Sequence, residues 1–414
     1  MDILIKNVTV LHKISEFHKR TSDIHIRDGR IINIDKNIDV PNAEMITGNK
    51  LFCTIGLCDI GTHSGEPGYE HRETIDSLTK AALSGGYTAL AVFPDTKPVI
   101  QTKGDIEYLK SHKNRNRVNI YPIGALSKDN KGVDIAEYID MGRAGAVAFS
   151  QGISSIQNTG LLDRSIQYAK VTNLPVIHHP DDHYLSEGGE MHEGETSTLL
   201  GMKGIPSIAE VHTLQRDILL VEYNNGTLIE HTISTNEAID IIKNAKLKNV
   251  HIYATVAYLN LIFTDKDVSD FDTNLKVLPP LRAEIDRKSL INGLNHGEVD
   301  AIVSNHTPLD KESKIIEFPY AVPGASGIET CLAACLTYLS SEIDLETIVE
   351  KLTIAPRTLL NITMPEIKVG AHADLCIFDT EKEWTYDINS IQSKSSNNPF
   401  LGKTFKGKVI FTIV

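Results

Sequence analysis

The sequence predicts an α/β fold: a TIM-type (β/α)8 barrel with a small β-domain formed from both chain termini. Three observations carry this. Eight apolar runs alternate with stretches of helical period through the middle of the chain. Strand-like segments lie at both ends. A length of 414 residues with 41% hydrophobic content suffices for one large core and a satellite. The expected division is residues 1–52 and 363–414 for the composite β-domain and 53–362 for the barrel.

In chain order, Ile3–Val10 and Ile24–Ile34 alternate in strand fashion, and Asp28-Gly29 within the second run is a hairpin signal. A strand from Lys50 to about Ile60 then delivers Gly61-Thr62-His63-Ser64-Gly65-Glu66-Pro67-Gly68 to the C-terminal rim of the sheet, where barrel enzymes keep their chemistry. The remaining barrel strands are read at 89–93, 118–123, 144–149, 175–178, 228–229, 250–254 and 301–304. Their near-continuous apolar character suits a parallel sheet buried on both faces. Residues 370–379 and 408–414 return to strand character. The polar stretch within 381–407, with Ser393-Lys394-Ser395-Ser396-Asn397-Asn398-Pro399, reads as a surface loop or weakly ordered tail.

Net charge is −13 with no basic stripe, which argues against nucleic acid as a partner. Five cysteines, Cys53, Cys58, Cys331, Cys335 and Cys376, lack paired metal-ligand spacing and sit in apolar surroundings, as expected of buried thiols in a reducing cytoplasm. No apolar run reaches the roughly 18 residues of a membrane span, so no membrane partner is expected.

Asp59-Ile60-Gly61-Thr62-His63-Ser64-Gly65-Glu66-Pro67-Gly68, followed by His71-Arg72-Glu73-Thr74 and Gly85-Gly86-Tyr87-Thr88, resembles the dihydroorotases of the amidohydrolase superfamily. Further motifs fall in the same order: Pro94-Asp95-Thr96-Lys97-Pro98, Ala148-Phe149-Ser150, His178-His179-Pro180-Asp181, Ile233-Ser234-Thr235, Pro279-Pro280-Leu281-Arg282, Asn305-His306-Thr307-Pro308 and Gly327-Ile328-Glu329-Thr330. Together they span nearly the whole chain. The resemblance implies one or two zinc ions at the strand ends, which supply hydroxide and polarise an amide carbonyl.

Position by position, the resemblance places retained metal ligands at His63 and His178 and altered ones at Gly61, Gln151, Thr232 and Asn305. A neutral amide at 151 is a poor zinc ligand. His231, one residue before Thr232, is expected on the opposite strand face. Asn305 stands at the position of the general base, where an amide accepts no proton. The substrate-binding positions are Gly65, Asp95, Leu278 and Leu309, all altered, and Gly65 replaces the arginine that would clamp a substrate carboxylate. His179, Asp181, Asp182 and His183 form a polar cluster read as a solvated loop.

Two functions of different class follow. The first is a dihydroorotase-like pseudoenzyme of pyrimidine biosynthesis with no zinc or weakly bound zinc. It would act as a scaffold or regulator; by the resemblance, aspartate transcarbamoylase is the partner, and a homo-oligomer is expected. The second is an active metal-dependent cyclic amidohydrolase with a rearranged site built on His63, His178 and their neighbours.

Overall fold

The computed structural model describes residues 2–111 and 118–414. Strands β1 (Asp2–Val10), β2 (Thr21–Arg27), β3 (Arg30–Asp35), β4 (Glu44–Ile46) and β5 (Leu51–Ile55) open the chain. The barrel strands are β6 (Leu57–Thr62), β7 (Tyr87–Val92), β8 (Asn119–Ala125), β9 (Ala148–Ser150), β10 (Val176–His178), β13 (Leu228–Glu230), β14 (Ile252–Ala257) and β15 (Ala301–Val303). They pair in parallel in that order, so the eight strands read from the apolar runs are the eight observed. The short strands β11 (Met191–His192) and β12 (Gly204–Ile205) pair beside the barrel.

The terminal strands β16 (Leu375–Thr385) and β17 (Thr404–Ile413) join the N-terminal ones in a seven-stranded sheet ordered β17-β16-β5-β1-β2-β3, with β4 on β1. Asp28 (φ 50) and Gly29 (φ 73) both lie in the left-handed region, the turn geometry that a two-residue hairpin between β2 and β3 requires. The single strand expected over 50–60 is divided at Gly56. There a Cβ would stand 2.1 Å from the Thr88 side chain, and β5 passes to the terminal sheet while β6 enters the barrel.

Alternate residues divide between two cores. Ile60, Ala91, Phe93, Ile123, Ala148, Ile177, Ile229 and Val303 fill the barrel interior. Leu90, Val92, Phe149, Val176, Leu228 and Ile302 face the surrounding helices. Closure between β15 and β6 is carried by Asp59, whose carboxylate accepts from Ser304 N (2.8 Å), Ser304 Oγ (2.6 Å) and Thr62 Oγ1 (2.6 Å). His63 N adds a bond to His306 O at 3.1 Å.

All five cysteines are free and buried, in agreement with the core reading of Cys331 and Cys335. No helix among the described residues is long and apolar enough to cross a membrane.

The expected surface loop within 381–407 differs from the structure. Asn397 and Asn398 are 4% and 1% exposed. Asn397 receives Leu309 N and donates to Thr307 O, Asn398 donates to Ser326 O at 2.6 Å, and Ser393 bonds Glu73. Polar composition was the signal for a loop; here the polar groups are satisfied by distant backbone, which lets them be buried.

Candidate active site

The end of β6 turns through Gly61, at φ 83, where the register with β7 shifts by one residue. A side chain at this position would be strained and obstructed: a Cβ would lie 2.6 Å from His231 Cε1 and 2.6 Å from Phe93 Cζ. The space is thus already filled. His63 follows, with Nδ1 2.9 Å from Asp95 Oδ2, and packs edge-on against Phe93 at 5.3 Å between ring centroids. His231 meets the other side of Phe93 at 5.0 Å.

The period of two along β10 and β13 decides which polar residues reach the mouth. Ile177 and Ile229 point into the barrel, so His179 and His231 follow them inward, while His178 and Glu230 face the helix layer. His178 was expected as a retained ligand position. In the structure its Nδ1 lies 2.5 Å from Asp217 Oδ2 on the Ser207–Asn224 helix, and its Nε2 accepts the Ile156 N–H at 2.8 Å. Both ring nitrogens are therefore committed away from the mouth. Arg216 closes the network on Asp217 Oδ1 at 2.7 Å. Glu230 lies in the same layer with both carboxyl oxygens lacking a partner, and burial, followed by the charge of Asp217, pushes it well above the usual carboxylate range.

His179 and His231 both reach the mouth, and burial, the first cause for each, holds both imidazoles below their ordinary value. Thr232 does not turn away from them as a regular strand residue would. At φ 59 its backbone leaves the extended region, and its Oγ1 stands 3.2 Å from His179 Nδ1. His231 and Thr232 thus converge on one place, which the strand rule did not foresee.

The other altered positions have local employment. Gln151 accepts from Ser127 Oγ at 2.9 Å and donates to Asn130 O, so its amide is spent on the neighbouring loop. Asn305, at φ 46, donates to Leu278 O at 2.9 Å while its Oδ1 has no partner. Gly65, at φ 68, faces the chain itself: a Cβ would lie 2.4 Å from Glu73 O, so this backbone admits no arginine there. Leu309 is buried beneath the tail. In the polar cluster Asp182 caps a short helix by accepting Tyr184 N and Leu185 N, and Asp181 accepts Ser186 Oγ.

Two adjoining cavities that share Ile153 open at the mouth. One, of about 190 Å³, is lined by His63, Asp95 and Leu309; the other, of about 460 Å³, by His179, Leu278 and Asp181. Each contains a guanidinium that the position-by-position reading passed over. Arg72 borders the first, with Nε 3.2 Å from Asp310 Oδ2 and its charge over the Tyr69 ring at 5.2 Å. Arg282 borders the second, donating to Ser234 Oγ (3.0 Å) and Ile205 O (2.7 Å). Their signal was present in the motifs His71-Arg72-Glu73 and Pro280-Leu281-Arg282, to which the sequence reading gave no substrate-binding role.

Whether these residues fit a zinc centre is a question of donors. Three or four ligands about 2.0–2.2 Å from one ion must lie within roughly 3.5 Å of one another. Among the described residues, the one group of three His, Cys, Asp or Glu with ligand atoms within 4.8 Å of each other is His178, Asp217 and Glu230. That group lies behind the barrel wall, with its imidazole saturated. In the mouth, His63 Nε2, His231 Nε2 and Asn305 Oδ1 are buried without partners, but among the described residues no carboxylate joins two imidazoles there in such a cluster. The donor set does not fit a two-zinc centre.

Residues 50–238 match the Dihydro-orotase-like family model. A dihydroorotase of Acetivibrio thermocellus is 36% identical over 395 residues, covering 95% of this chain and 93% of its own. A dihydroorotase of Thermoanaerobacter sp. is 39% identical over 417 residues, covering 100% and 96%. Among solved structures, the L-hydantoinase (dihydropyrimidinase) of Arthrobacter aurescens superposes with a TM-score of 0.86 at 23% identity over 100% of this chain and 94% of that one. This last likeness speaks for the fold.

Proposed function

The chain belongs to the dihydroorotase-like amidohydrolases, and from that premise we propose that it is a catalytically silent member that acts as a scaffold or regulator. The observation that carries this reading is the packing at Gly61: the volume and backbone conformation that a ligand side chain would need are taken by His231, Phe93 and a left-handed φ. Hydrolysis of a ring amide in this family's manner calls for a cation and a base at the strand ends, and Asn305 offers no proton acceptor at neutral pH. Regulation or scaffolding, with aspartate transcarbamoylase as the partner the resemblance suggests, is the role such a protein would serve.

A second reading is favoured by one observation. The unpartnered Nε2 atoms of His63 and His231 leave two buried imidazole lone pairs, which a rearranged single-metal site could use. Metal analysis of the purified protein, with a dihydroorotate ring-opening and ring-closing assay with and without added zinc, separates the two. Substoichiometric metal and rates at the uncatalysed level support the first reading. Stoichiometric zinc with turnover overturns it.

A further inference from the structure

A cavity of about 570 Å³ lies at the end of the barrel remote from the mouth. Ala89 and Asn119, in the N-terminal halves of β7 and β8, border it on the barrel side, and the connection that leads into β16 borders it through Met364, Pro365, Ala371 and Asp374. It therefore sits between the barrel floor and the sheet of terminal strands, a junction of the kind where small-molecule sites are found. Residues at this face of a barrel ordinarily serve stability, so the case rests on the charges around the cavity.

Arg357, on the helix Ile354–Leu359, is 1% exposed and borders the cavity. Its Nη1 donates to Thr353 O at 3.1 Å and its Nη2 to Thr88 Oγ1 at 3.2 Å, and both acceptors are uncharged. These bonds use two of the five guanidinium N–H donors. Thr88 Oγ1 in turn donates to Asp374 Oδ1 at 2.6 Å, so one hydroxyl stands between guanidinium and carboxylate. Close packing holds it there: a Cβ on Gly56 would lie 2.1 Å from the Thr88 side chain and 2.5 Å from Asp374 Oδ1. Tyr121, inward-facing on β8, borders the same cavity, and its hydroxyl feels both charges. Burial raises it first and Cys58 next, then Arg357 lowers and Asp374 raises it. Glu366 on the same wall is already paired with Lys368 at 2.6 Å.

We propose that this cavity is a second ligand site, which takes a small zwitterion of the α-amino acid class. The ligand carboxylate accepts from the remaining Arg357 donors, the ammonium lies on Asp374, and an apolar body packs on Met364, Pro365 and Ala371. Charge selects this class. A simple anion would satisfy Arg357 and meet Asp374 as a like charge, and a simple cation would meet the reverse. A molecule bearing both charges leaves neither group unmatched. The volume leaves room for a side chain beyond the two charged ends.

The test is calorimetric titration of the full chain with L-phenylalanine and with its two near-isosteric halves, hydrocinnamate, which lacks the ammonium, and phenethylammonium, which lacks the carboxylate. L-phenylalanine is expected to bind at one equivalent with a Kd of about 1 mM or tighter, and each half at least ~10-fold more weakly. Arg357→Met is expected to lose the amino acid, but removing a buried guanidinium also strikes at the fold. Asp374→Asn therefore carries the decision: it keeps an acceptor for Thr88 and is expected to bind L-phenylalanine and hydrocinnamate equally, a change of preference that a purely structural Asp374 would not produce. Arg72→Ala, at the mouth, is expected to bind L-phenylalanine as the wild type does. Absence of saturable binding, a half-ligand that binds as tightly as the whole, an unchanged preference in Asp374→Asn, or loss of binding in Arg72→Ala each overturns the proposal.

Discussion

Gly61 and His231 share one space at the barrel mouth: a Cβ on the first would stand 2.6 Å from Cε1 of the second. Replacing Gly61 therefore meets two costs, a left-handed φ of 83 and an occupied volume. The first is about 1–2 kcal/mol and the second about 1–3 kcal/mol, so Gly61→Ala is expected to lose roughly 2–5 kcal/mol in urea unfolding. Gly61→His is expected to be destabilised at least as much and to gain no stoichiometric zinc by metal analysis. A Gly61→His protein of wild-type stability that binds an equivalent of zinc would show that the mouth is not filled.

His178 provides a second test because it lies on the other side of the wall from the mouth. Its Nδ1 and Arg216 both rest on Asp217; His178 and Asp217 are withdrawn from solvent and Arg216 is half-buried. Removing the carboxylate in Asp217→Ala leaves a fully buried imidazole without its acceptor and a half-buried guanidinium with only Ile156 O, at a cost of about 3 kcal/mol. Metal content is expected to stay at its wild-type level. A loss of zinc with little change in the unfolding midpoint would assign this group to metal binding instead.

The fold was legible because apolar strands and the polar residues that end them recur at barrel spacing. The mouth was legible only in part. At His178-His179 two candidates stand side by side, and the strand before them, Val176-Ile177, is apolar at both positions, so no alternation marks which side faces inward. The structure decides it through Ile177 in the interior and Val176 against the helices. His231 was assigned to the wrong face for another reason: the period was counted from Thr232 as the inward residue, whereas Ile229 in the interior sets it, and Thr232 at φ 59 leaves the extended period without any residue type announcing it. Asn397 and Asn398 escaped because their partners are about 70–90 positions away in sequence.

Glu230 should leave a signature in the pH dependence of stability. Its carboxyl is neutral in the fold at pH values where the unfolded chain, near 4.5, has already released the proton. Above that value the native state binds more protons, so this group's contribution falls as pH rises. Glu230→Gln keeps the shape and cannot ionise. The variant is therefore expected to gain on the wild type as pH increases above 4.5, by at most ~1.4 kcal/mol per pH unit. Parallel stability curves for the two proteins between pH 5 and 8 would contradict a neutral Glu230.

Lys314 should act with the opposite sign. Its ammonium is 5% exposed and donates to Val322 O at 2.9 Å, holding the loop that borders the smaller cavity at the mouth. Burial lowers it from 10.5 to about 7, with Asp272 opposing the effect and Lys276 adding to it. Between those two values the unfolded chain binds the extra proton, so stability rises with pH across this window. Lys314→Met removes the titration. Wild type is accordingly expected to gain on the variant as pH is raised from 7 toward 10.5, again by at most ~1.4 kcal/mol per unit. A lysine that kept its full charge in the fold would leave the difference between the two proteins flat, and chemical denaturation at three pH values is enough to tell.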